Sequence, residues 1–72
     1  MQSPASITVT ANGREFNTRS AIPLPDFLQE NGIEPELVVV ELNGNALTRR
    51  EATHAQLHSG DRLEIVRIVA GG

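Results

Sequence analysis

Five of the seven residues from Leu63 to Val69 are aliphatic, interrupted only by Glu64 and Arg67. Such a run suits a strand in the middle of a sheet, with neighbours on both sides. Immediately after it the side chains disappear, because Ala70, Gly71 and Gly72 close the sequence. Glycine loses more freedom on ordering than any other residue, so two at a terminus add little to a fold. They read as a thin, flexible arm (70–72) with a carboxylate at its tip. The same ending also suits an ordinary frayed terminus, and the rest of the chain has to decide between the two.

With 72 residues the chain makes a single domain, 1–72, near the lower limit for folding without staples. There is no cysteine, which removes disulfides, a thiolate nucleophile and any Cys-based metal site. A 39% apolar fraction supports a modest core, worth about 3–5 kcal/mol at this size. Nine acids oppose six arginines, and lysine is absent. No basic stripe exists to neutralise phosphates, so nucleic acid is not an expected partner. No apolar run approaches a membrane span, and Met1 to Ser6 do not make a signal peptide, so no membrane partner is expected and a cytoplasmic location is.

Ile7 and Val9 alternate with Thr8 and Thr10, the pattern of a half-buried strand. Asn12-Gly13 then predicts a hairpin, since both residues tolerate the positive φ of a type I′ turn. Arg14 to Thr18 returns as a second strand, with Phe16 its contribution to the core. Pro23 to Gly32 predicts a helix of about two turns, with proline tolerated in the first turn and Gly32 as terminator. Asp26 sits near the positive end of its dipole. Leu24, Phe27 and Leu28 share one helical face, which should cover one side of the sheet. A third strand is expected over 37–43, with Val38, Val40 and Leu42 on one face and Val39, Glu41 and Asn43 on the other. A turn at Asn43-Gly44-Asn45 leads to a short edge strand at Ala46-Leu47. Thr48-Arg49-Arg50-Glu51 has the form of a capping box and starts a helical turn reaching toward Leu57. Ser59-Gly60-Asp61 turns the chain into the final strand. A right-handed crossover should carry the chain from hairpin to sheet centre. The fold class is α+β, a mixed sheet with one helix packed on one face plus a short helical turn.

Several of these stretches carry a resemblance. They are Val38-Val39-Val40-Glu41-Leu42-Asn43-Gly44-Asn45, Thr48-Arg49-Arg50-Glu51, Leu57-His58-Ser59-Gly60-Asp61-Arg62-Leu63-Glu64-Ile65 and Val69-Ala70-Gly71-Gly72. In this order, after a strand–Asn-Gly–strand–helix opening, the chain resembles the sulfur carriers of the ubiquitin-like β-grasp fold. Among them it is most similar to the thiamine-biosynthesis carriers, the ThiS family. The resemblance spans residues 7–72, and its specific parts are the terminal Gly-Gly and the Gly-Asp turn before the last strand. The Pro-Leu-Pro entry to the helix departs from the family, which more often has a hydroxyl cap there.

The resemblance implies a carrier and not an enzyme. Gly72 would be adenylated by an E1-like adenylyltransferase at the expense of ATP, then converted to a thiocarboxylate with sulfur from a cysteine desulfurase route. Thiazole synthase would receive the sulfur. No catalytic side chain, metal or permanently bound cofactor is implied; Gly71 and Ala70 serve as the tail. With Leu63 and Ile65 facing the helix, alternation puts Val66 and Ile68 on the opposite face, beside Val39. These three are the expected partner-binding patch.

The remaining candidates have plainer readings. His54 and His58 have the spacing of two helical metal ligands, but no third ligand is near, and a surface pair is expected. Glu41 and Glu64 read as solvated charges beside arginines rather than a carboxylate pair. Arg62 and Arg67 either steer an acidic partner or pair with glutamates across strands. Two related functions share the tail: the small subunit of molybdopterin synthase, usually with a proline-rich approach to Gly-Gly, and a protein modifier that couples Gly72 to target lysines. A passive β-grasp binding module has no need of that tail.

Overall fold

In the computed structural model, residues 6–68 are described. Two antiparallel strands, β1 (Ser6–Ala11) and β2 (Arg14–Arg19), form the expected hairpin. Helix α1 (Leu24–Glu30) follows, then a 3-10 turn (Pro35–Leu37) and β3 (Val38–Leu42). The chain continues through β4 (Asn45–Ala46) and α2 (Arg49–His54) to β5 (Arg62–Arg67). The sheet order is β2-β1-β5-β3-β4, so β5 is central and the two-residue β4 is an edge. β5 runs parallel to β1 and antiparallel to β3, which makes the sheet mixed. The arrangement is the expected α+β β-grasp.

One side of the sheet carries the core. Ile7, Val9, Val40 and Leu63 face Leu24, Phe27 and Leu28 of α1, and all seven are at most 6% exposed. Phe16 is half-buried and meets Phe27 edge-to-face, with ring centroids 5.7 Å apart. The C-terminus of α1 is a Schellman turn. Gly32 N–H donates to the Gln29 carbonyl and Ile33 N–H to the Leu28 carbonyl, with Gly32 at φ +76°.

The start of α1 shows why the proline entry is tolerated. Pro23 supplies no side-chain cap, but Leu24 N–H donates to the Ala55 carbonyl at 2.8 Å. Leu57 N–H in turn donates to the Ile22 carbonyl at 2.9 Å, so the strand-like strap after α2 satisfies the helix start from outside. That strap is also where α2 stops. It ends at His54, short of the expected reach to Leu57, because residues 55–57 are extended against residues 22–24. The capping box at Thr48 and Glu51 forms in both directions, at 3.0 and 2.8 Å.

The bounds of β3 and β4 also differ from the sequence reading. Leu37 lies in the 3-10 turn that Pro35 opens, so β3 begins at Val38. The edge strand is Asn45–Ala46, one residue earlier than expected, because the two-residue turn at Asn43-Gly44 closes β3 directly onto Asn45.

Candidate functional site

The sheet face away from α1 is open. Along β5 the outward positions are Arg62, Glu64 and Val66, and the alternation carries on to Ile68; along β3 they are Val39 and Glu41. Among the described residues the exposed large hydrophobics are Leu37 (47%), Val39 (44%), Val66 (59%) and Ile68 (46%). They are not scattered. Val39 is directly opposite Val66 in the β3–β5 ladder, and Ile68 N–H donates to the Leu37 carbonyl at 2.7 Å. The four form a two-by-two array at the end of the central strand. Leu37 is the member absent from the expected patch; the signal for it was parity, since it lies two residues before Val39 in the strand expected over 37–43.

In sequence, Ile68 is followed by Val69 and the tail. Val69, Ala70, Gly71 and Gly72 lie outside the described residues. Around the corner from the array is a groove of about 590 Å³ between α1, β3 and α2, whose lining includes Pro25, Leu28, Val38, Leu47, Ala52 and Ile68. It exists because β4 pairs only with Glu41 and Leu42, leaving the start of β3 uncovered on that side.

Next to the apolar array the same face is acidic. Glu41 and Glu64 are direct cross-strand partners, both exposed. They are therefore a facing carboxylate pair, contrary to the expectation of separate charges beside arginines. Neither has a cationic nitrogen within ion-pair distance among the described residues, where the ion pairs are Arg19 with Asp26 and Glu30, and His58 with Asp61. Arg67 falls on the other parity, with Leu63 and Ile65, and opposes Val38.

The histidines have local roles. His54 Nδ1 lies 2.9 Å from the Arg50 carbonyl, and His58 N–H donates to Asp61 at 2.8 Å. Among the described residues no cluster of three or more His, Asp or Glu side chains could hold a metal. Among those residues, too, no helix is long and apolar enough to cross a membrane.

What the fold and this face define is a small β-grasp body with an exposed apolar array at the end of its central strand, in a chain whose sequence ends in Gly-Gly. The crystal structure of the thiamine biosynthesis protein ThiS from Geobacter metallireducens superposes with a TM-score of 0.77, at 26% identity, over 92% of this chain and 100% of that one. The chain is thus a sulfur carrier of the ubiquitin-like β-grasp class, whose members interact with an E1-like enzyme and a synthase. More narrowly, it belongs to the ThiS family, whose model matches residues 5–72. Two relatives bear the name uncharacterized protein ycf40. That of Pyropia yezoensis is 34% identical over 94% of this chain and 96% of its own length. That of Trieres chinensis is 32% identical over 90% of this chain and 89% of its own length.

Proposed function

We propose that this protein carries sulfur as a thiocarboxylate on Gly72 and delivers it for thiazole formation in thiamine biosynthesis, in the cytoplasm. The observation that carries this reading is the exposed array of Leu37, Val39, Val66 and Ile68 on the strand that leads, in sequence, to Gly71-Gly72. Membership of the ThiS family and the thiamine-biosynthesis structure it resembles support the choice of pathway. The Ile68-Val69 approach to the tail, without proline, favours it over the molybdopterin synthase subunit.

A C-terminal carboxylate is ionised at neutral pH, with an ordinary pKa of about 3.3–3.7. It is a poor electrophile, so it has to be activated. One Gly72 oxygen attacks the α-phosphate of ATP on the E1-like enzyme, and pyrophosphate leaves. The terminal sulfur of a cysteine persulfide then adds to the acyl carbon, and AMP departs with the C–O electron pair. A thiol reduces the resulting acyl disulfide to the thiocarboxylate and is itself oxidised to a disulfide. No side chain of the carrier takes part.

The glycines let the tip enter closed active sites through openings that a Cβ would obstruct. Ordering each tail residue costs on the order of 1–2 kcal/mol. Docking of Val39, Val66 and Ile68 on the partner offsets that cost. Incubation with ATP, an E1-like enzyme, cysteine and a desulfurase should exchange one oxygen for sulfur in the intact mass. An unchanged mass overturns the reading, and conjugates to other proteins would identify a modifier instead.

A further inference from the structure

We infer that the E1-like partner meets the open sheet face with a cationic side chain seated between Glu41 and Glu64, next to apolar side chains that cover Val39, Val66, Ile68 and Leu37. The inference rests on the carrier reading and specifies the chemistry of the surface that recognises it.

The register places Glu41 directly opposite Glu64, and Val39 opposite Val66 one repeat further along. Side chains of facing residues have Cβ atoms about 4.5–5.5 Å apart, and like charges at that spacing destabilise a sheet. The fold does not relieve the conflict among the described residues. Arg62, the nearest cation on this face by position along β5, makes no ion pair with either carboxylate. A depression of about 200 Å³ lies at this point, lined by Glu41, Glu64, Arg62, Thr10 and their neighbours.

Size makes the carboxylates part of any contact. A specific interface covers about 800 Å² per partner, a disc roughly 16 Å in radius. The Glu pair is two residues from the Val pair along each strand, about 7 Å. Four side chains cannot fill such a disc, so a partner centred on them also covers Glu41 and Glu64. Covering two facing carboxylates without a counter-charge would cost more than the apolar contact gains. An arginine or lysine at that point turns the repulsion into a bidentate attraction, and it selects against surfaces that are merely apolar.

The test compares wild type, Glu41→Gln, Glu64→Gln and the double variant, with Glu34→Gln removing one charge from the helix-side groove. Each is measured for thermal midpoint, for affinity to the E1-like enzyme from the same genome at several salt concentrations, and for sulfur loading by intact mass. The double variant should be as stable as wild type or melt a few degrees higher, yet bind at least tenfold more weakly and with a flatter salt dependence. Glu34→Gln should match wild type in affinity. Equal affinity of the double variant and a loaded wild type would overturn the inference while leaving the carrier reading intact. Failure of wild type itself to load would overturn the carrier reading and the inference with it.

Discussion

Among the described residues, three other than glycine adopt the left-handed backbone: Asn12, Ala21 and Asn43. The two asparagines use their side chains as well. Asn12 accepts from Ile65 N–H at 2.7 Å and donates to the Ile65 carbonyl at 3.0 Å, standing in for the strand that β1 no longer provides. Asn43 accepts from Arg62 N–H and donates to Asp61. Both turns are thereby fastened to the central strand. Asn12→Ala should cost about 2 kcal/mol, roughly half from the left-handed backbone and half from the amide bonds. Asn12→Gly should restore the backbone share alone, and urea denaturation of the pair separates the two. Ala21 has no such partner and is exposed. Ala21→Gly should therefore stabilise the protein by about 1 kcal/mol, seen as a higher denaturation midpoint. The Asn12-Gly13 turn was legible from the dipeptide itself. The left-handed Ala21 was not, because nothing in alanine's chemistry asks for it.

Among the elements, the helices show where local signals suffice and where they fail. The Thr48–Glu51 capping box forms as its spacing predicts, since both partners lie within one turn. The start of α1 depends on a segment some thirty residues away: Ala55 caps Leu24, and the wholly buried Leu57 anchors that strap. Leu57→Ala should thus cost about 3 kcal/mol, within the range for a buried leucine. Hydrogen exchange at the Leu24 amide should rise by more than at amides of β1, because the strap that holds its acceptor loosens. The sequence reading extended α2 toward Leu57, where the apolar pattern still fits a helix. Pairing with residues 22–24 prevailed because it supplies two backbone bonds that a longer helix would forfeit. The 3-10 turn at Pro35–Leu37 is hidden in the sequence for a related reason: Leu37 next to three valines has the pattern of a strand.

For the molecule as a whole, stability and activation are expected to separate. Among the described residues the buried core is formed by β1, β3, β5, α1, the strap and Ile22, all within 7–63. Deleting Gly72 should abolish sulfur loading and leave the thermal midpoint within about 1 °C, as expected for removal of a terminal residue without a side chain. Val66→Arg replaces a side chain that is 59% exposed. It should change stability by no more than about 0.5 kcal/mol. The KM for the carrier in the adenylation reaction should nevertheless rise at least tenfold, since it sets a charge in the apolar array.

From the order of its residues this chain determined what depends on near neighbours: the strand periods, the Asn-Gly turns, the capping box, the central character of β5 and the outward sides of Val39, Val66 and Ile68. Each rests on a two- or four-residue repeat, or on one residue's preferred dihedrals. Tertiary structure alone decided that Glu41 faces Glu64 and that Ala55 caps α1. Those are matters of register between segments distant in sequence. A one-residue slip would leave every local pattern unchanged while exchanging the two faces of a strand.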